Sequence, residues 1–147
     1  MPNLYPVFDM PELAVQQQTE PAPQYARSWF FDFEKGDFAR DNTGRVMPAS
    51  GYTAWAHWCI KAILTERYEY LAYGSDYGCE TKQIVKLNRD AAESEIERVI
   101  TEALLADERT QIVRNFIYDW HGDEVAVTCD IVPVIGTEET VRVKIGL

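Results

Sequence analysis

The residues best placed for acid–base chemistry are the carboxylates Glu66, Asp76 and Glu80, gathered around a tyrosine-rich stretch. Two carboxyl groups flanking a cleft, one kept protonated and the other ionised, are what glycoside hydrolysis requires. In a chain with 24 acidic residues some pair always falls at a suitable spacing, so the default for these three is a solvated acid. Nucleophilic catalysis needs a Ser or Cys beside a His and an orienting carboxylate. The only histidines are His57, expected on a polar helix face, and His121, expected at a hairpin turn, and both read as surface residues. His57 and Cys59 form the only close pair of metal-ligand types, but two positions on a helix point about 200° apart and cannot share one ion. Gly74 and Gly78 lack the Lys-Ser/Thr or the βαβ setting of a phosphate loop. No catalytic, metal or cofactor site is expected.

The chain around these residues is acidic, with 24 Asp and Glu against 14 Lys and Arg and a formal charge of −10. Nucleic acid and anionic membrane are therefore poor partners, because phosphate contacts depend on Lys and Arg displacing counterions. A length of 147 residues allows a core that buries roughly 70% of the unfolded surface without metal or disulfide staples. Cys59, Cys79 and Cys129 are odd in number and widely spaced, which suits small hydrophobes in a reducing compartment better than a disulfide framework. No leader pattern and no apolar run of about 18 residues is present, so a soluble protein, not exported by a cleaved leader, is expected.

Residues 1–27 hold Pro2, Pro6, Pro11, Pro21, Pro23 and a Gln16-Gln17-Gln18 run, which predicts an extended arm. Leu4, Tyr5, Val7, Phe8 and Leu13 are its candidate partner-binding side chains. From Ser28 onward a single α+β domain, 28–147, is expected. Trp29, Phe31 and Phe33 alternate with Phe30, Asp32 and Glu34 as a strand with an aromatic face, and turn residues at Gly36-Asp37 and Asn42-Thr43-Gly44 predict a short irregular hairpin. Gly51 to about Tyr68 reads as a helix with Tyr52, Trp55, Ala56, Cys59, Ala62 and Ile63 on one stripe. Trp58, Ile60 and Leu64 widen that stripe, so the helix is expected to be packed on more than one side. His57, Lys61 and Thr65 fall opposite.

A loop with Tyr68, Tyr70, Tyr73, Tyr77, Gly74 and Gly78 follows, then a helical turn near Lys82 to Lys86. A second helix is predicted from Asp90, with Asp90 and Glu93 as a capping pair and Ala92, Ile96, Val99, Ile100 and Ala103 facing the core. After Arg109 the period falls to two. Ile112, Phe116, Tyr118 and Trp120 mark one strand, with Arg114 breaking the pattern. Val125, Val127, Cys129 and Ile131 mark a second, and Val141, Val143 and Ile145 a third. The architecture predicted is two long amphipathic helices packed on a small antiparallel β-meander.

Four motifs stand in a telling order: Phe31-Asp32-Phe33-Glu34-Lys35-Gly36, Leu64-Thr65-Glu66-Arg67, Asp76-Tyr77-Gly78, and Asp107-Glu108-Arg109 closing a helix. In this order and spacing, over most of Trp29 to Leu147, the chain resembles the W-type baseplate wedge proteins of contractile phage tails, the sheath initiators, and most of all their XkdS-like branch. Asp107-Glu108-Arg109 matches the family's acidic-Pro-Arg triplet at its first and third positions, with Glu108 where the proline would be. The resemblance implies a structural protein made in the host bacterial cytoplasm and built into the tail baseplate. There it would join other wedge proteins and the tail tube or hub to the first sheath ring, in about six copies per baseplate, without cofactor, nucleic acid or membrane. Asp107, Glu108, Arg109, Tyr73 and Tyr77 are the expected wedge contacts; a plainer role for Arg109 is to answer the helix dipole. Val141, Arg142, Val143, Lys144 and Ile145 are the expected edge strand for a sheath subunit, by β-strand augmentation. Family members have carried an acidic-lysozyme label, which makes a peptidoglycan hydrolase using Glu66 or Asp76 one alternative. A free cytoplasmic adaptor is the other.

Overall fold

Ala92, Ile96, Val99, Ile100 and Ala103 recur at helical spacing, and all five are buried on one side of the helix Arg89–Leu105. The computed structural model describes residues 27–146. In chain order it contains β1 (Ser28–Trp29), β2 (Phe31–Asp32), β3 (Asp37–Phe38), β4 (Pro48–Ala49), α1 (Gly51–Leu64), a 3-10 turn (Ile84–Lys86), α2 (Arg89–Leu105), β5 (Thr110–His121), β6 (Glu124–Pro133) and β7 (Glu139–Gly146). This is an α+β architecture of two helices with small antiparallel sheets. Strands β5, β6 and β7 lie side by side in that order, while β1 pairs with β4 and β2 with β3. Leu4, Tyr5, Val7, Phe8 and Leu13 of the expected arm lie outside the described residues.

The core forms where α2 and α1 meet one face of the three-stranded sheet. Val125, Val127, Cys129 and Ile131 from β6 and Val141, Val143 and Ile145 from β7 pack with Trp55, Cys59, Ala62 and Ile63 of α1 and the buried stripe of α2. Alternation along β7 leaves Arg142 and Lys144 exposed on the other face. The polar atom of the deepest aromatic is satisfied: Trp55 Nε1 donates to Thr110 Oγ1 at 3.1 Å.

Several boundaries differ from the sequence expectation. Helix α2 is capped by Asn88, whose side chain accepts from the Ala91 N–H at 2.9 Å, so Asp90 sits in the first turn rather than at the cap. Glu93 is drawn away from a capping role and accepts from Trp120 Nε1 at 2.7 Å. Helix α1 stops at Leu64, not near Tyr68. Thr65 is already extended, its hydroxyl donating to Lys61 O at 2.7 Å, and Glu66 bridges to Cys79.

The break in the β5 pattern is a bulge, and it lies one residue beyond Arg114. Arg114 pairs with Asp130 and Ile117 with Thr128, so Asn115 and Phe116 together oppose Cys129. Asn115 takes φ +56, a left-handed conformation that asparagine tolerates better than most residues. The extra residue resets which side faces in. Phe116, Tyr118 and Trp120 lie against the core as expected, but before the bulge Val113 is the residue packed there and Ile112 is exposed.

The aromatic segment after Ser28 is not one strand but two short ones, and its side chains divide between two directions. Phe30, Phe31 and Phe33 are half-buried while Trp29 stands 56% exposed. Chain reversals at Gly36 and Gly44 fold residues 28–49 into a narrow ribbon, stitched by Phe30 N–H to Met47 O and Met47 N–H to Ala39 O. The ribbon covers the side of α1 that carries His57. His57 is therefore only 9% exposed, contrary to a solvated surface position. Its ring meets the edges of Phe30 and Phe33, with centroids 4.6 and 5.4 Å away, and its Nδ1 accepts the Phe31 N–H at 3.4 Å. Helix α1 is thus packed on two sides by its own chain.

Candidate functional site

Residues 65–80 form a loop whose ends are tied together. Cys79 N–H donates to Thr65 O and Arg67 N–H to Cys79 O, both at 2.9 Å. Gly78 makes that closure possible: it has φ +100, and a Cβ there would lie 2.7 Å from Thr65 O. Arg67 then locks the base to α2. Its Nε donates to Gly78 O at 3.0 Å and its terminal nitrogen meets Glu102 at 2.6 Å, a charge-assisted contact that raises the Arg67 pKa further. Such a pinned loop, compact and closed at its neck, is a rigid platform.

Above the base, aromatic rings run outward in contact. Trp58 of α1 meets Tyr77 edge-on at 5.6 Å, Tyr77 meets Tyr73 at 4.6 Å, and Tyr73 meets Tyr70 at 6.0 Å. Burial pushes the Tyr77 hydroxyl pKa up, while Tyr73 and Tyr70 are exposed. At the inner end of this row the guanidinium of Arg109 lies 5.6 Å from the centre of the Trp58 ring. The triplet and the tyrosine loop, both expected to bind partners, are therefore joined, and Trp58, which the sequence marked only as part of an apolar stripe, joins them.

Within the triplet, Arg109 is only 12% exposed in its side chain. Its Nε donates to Asp107 Oδ1 at 2.7 Å, a second nitrogen pairs with Asp107 Oδ2, and its backbone N–H donates to the same Oδ1 at 2.9 Å. That last bond is an Asx turn centred on Glu108, and Thr110 N–H donating to Asp107 O at 3.0 Å closes the reversal. Glu108 itself is exposed. Arg109 O accepts from Val134 N–H at 2.9 Å, fastening the triplet to the end of β6.

The candidate acids are placed differently from one another. Glu66 accepts from Thr81 N–H at 3.1 Å, Thr81 Oγ1 at 2.6 Å and Lys82 N–H at 3.4 Å, which uses both its oxygens to hold the chain leaving the loop. Glu80 lies 3.5 Å from Arg67 and accepts from Gln83 at 3.1 Å, and Asp76 is exposed. His121 is exposed beside Asp119 at 3.1 Å. Cys59, Cys79 and Cys129 are all buried, and burial raises each thiol pKa to about 12, leaving them protonated at neutral pH. Among the described residues no three His, Cys, Asp or Glu side chains are grouped to hold a metal ion, and no helix is long and apolar enough to cross a membrane.

The sheet contributes a second candidate surface. Strand β7 is an edge, paired with β6 without a shift from Glu124–Gly146 to Ile131–Glu139. Val141, Val143 and Ile145 point into the core. On the opposite face Arg142 pairs with Asp119 at 3.3 Å, and Lys144 is exposed beside it.

Residues 27–134 match the family model of the contractile injection system sheath initiator, a span that takes in the ribbon, both helices, the tyrosine loop, the triplet and strands β5 and β6 and stops short of β7. Among curated proteins none matches the chain. With the matched span covering well over half of its length, the chain belongs to the sheath-initiator family of contractile injection systems.

Proposed function

We propose that this protein is a baseplate wedge component that joins the wedge to the first sheath ring, and that it starts sheath assembly by pairing β7 with a strand from a sheath subunit. The observation that carries this reading is the contrast between the two edges of the sheet. Strand β5 is interrupted by register shifts at Thr110/Ile112 and Arg114/Ile117, and bulges of this kind twist an edge away from further pairing. Strand β7 has no such interruption along its pairing with β6. An added strand would satisfy its outer backbone groups, with Val141, Val143 and Ile145 setting the apolar side of the register and Arg142 and Lys144 the charged side.

The wedge contact falls to Asp107, Glu108, Arg109, Tyr73 and Tyr77. Because Asp107 holds Arg109 against Trp58, Glu108 and the tyrosines present the triplet's surface, while Arg109 keeps it rigid. Residues 1–27 act as an arm along a neighbour through Leu4, Tyr5, Val7, Phe8 and Leu13, and 28–147 as one wedge domain. About six copies around a tail would turn weak single contacts into a stable ring. Deleting residues 140–147 tests the sheath step: negative-stain microscopy should then reveal tail tubes lacking sheath, and sheathed particles would remove β7 from the mechanism.

A further inference from the structure

The outer end of the aromatic row carries more exposed apolar surface than folding needs. Leu71 is 105% exposed and Tyr68 is 69% exposed, with Tyr70 and Tyr73 beside them also open. Four large exposed side chains within residues 68–73, on a loop closed at its neck, are a mark of protein contact. Their mount is unusually firm: the loop neck is closed by backbone bonds, Arg67 ties it to Glu102, and the rings lead back to Trp58. Tyr68 also sits at φ +67, where bulky side chains are rarely found, and strain of that sort persists where the surrounding structure imposes it. In this conformation Tyr68 stands 69% exposed just beyond the closed neck of the loop.

Resting on the assignment to the baseplate wedge above, we propose that Tyr68, Tyr70, Leu71 and Tyr73 form a plug that seats in an apolar pocket rimmed by lysine or arginine on a neighbouring protein subunit of the particle. Tyrosine suits such a seat, giving a large flat contact with a hydroxyl left for the rim, and few rotamers to freeze. The charge around the plug selects the rim. Residues 66–82 carry the carboxylates Glu66, Glu69, Asp76 and Glu80 against two cations that are both engaged, Arg67 buried in its contacts to Glu80 and Glu102 and Lys82 paired with Glu69 at 3.2 Å, so the segment keeps a net negative charge. A pocket of acidic rim would be repelled, and a basic one drawn in.

The test uses full-length chains expressed in the particle-producing cell, with occupancy in purified particles measured by quantitative mass spectrometry. Leu71→Asp should keep the melting temperature of the free protein and lower occupancy at least tenfold. Tyr68→Gly should melt no lower than the parent, because glycine accepts the left-handed backbone, and still lose occupancy several-fold. A photo-crosslinker at position 71 should join one other subunit at a segment containing Lys or Arg. Parental occupancy in both variants overturns the plug while leaving the sheath-initiating role intact, as does a crosslink confined to lipid, to a second copy of this chain or to an acidic segment. Absence of the parent protein from the particle overturns the baseplate assignment, and the plug with it.

Discussion

Helix α1 is packed on both sides by its own chain, and the two sides are built from different chemistry. Toward the core it offers Trp55, Cys59, Ala62 and Ile63, none more than 2% exposed, against α2 and the three-stranded sheet. Toward the ribbon it offers His57 between Phe30 and Phe33, and Lys61, whose ammonium lies 5.5 Å from the Phe31 ring and 5.9 Å from the Phe38 ring. The ribbon leaves Trp29, Phe38 and Met47 open to water, and its strands are two residues long. One face is therefore expected to unfold with the cooperative core, and the other to carry a small unit that opens locally. A polar, titratable contact suffices where little apolar area is at stake.

The largest break in this comparison is Trp55→Ala, expected to cost about 3–5 kcal/mol of global stability by leaving a cavity in the core, read from the denaturant midpoint. Phe33→Ala on the other face should cost about 1–2 kcal/mol. That loss should appear as faster hydrogen exchange at Phe30 and Ala39 amides with the global midpoint nearly unmoved; an equal fall in the midpoint would make the ribbon part of the core.

Mild acid, above the range in which carboxylates take up protons, should act first on the ribbon face. Burial, and then Lys61, lower the His57 pKa in the folded state below its ordinary 6.5. As pH falls through 6.5, the opened ribbon takes up a proton that the closed one refuses, so opening becomes easier from there down until folded His57 itself titrates. Exchange at the Phe31 amide, corrected for its intrinsic pH dependence, reports this, and His57→Gln should flatten it. Lys61→Met removes a cation from two rings at about 0.5–1 kcal/mol and should also shift the acid window upward, since a like charge leaves His57. Smallest of all, Arg98→Ala on the solvent side of α2 breaks its ion pairs with Glu95 and Glu102 yet should leave the denaturant midpoint indistinguishable from the parent's, because exposed pairs are screened by water and salt.

Helix α2 and strands β6 and β7 could be read from periodicity because their apolar residues repeat with an unbroken phase: every residue read as facing the core is buried, and Leu104 and Ala126 are buried besides. The phase of β5 could not, since the residue that resets it, Asn115, looks like any polar strand residue until its pairing across to Cys129 is known. His57 was misread for a related reason. Its helical position is opposite the apolar stripe, and only the ribbon folding back from residues 28–49 buries it. For the docking surface, the tyrosines and the Asp107-Glu108-Arg109 triplet were visible as types. Their connection was not, because Arg67 reaches Glu102 and Arg109 reaches Trp58 across long stretches of chain.

Side-chain order along the chain thus sufficed for which segments coil, which extend and which face of each carries apolar atoms, because these depend on neighbours within a turn or two. It also carried the family likeness, which rests on short motifs in order. Where the polypeptide returned upon itself decided the rest: the burial of His57, the inward turn of Arg109 and the closed neck of the tyrosine loop. Each of these depends on contacts between residues far apart in the chain, and local spacing holds no record of them.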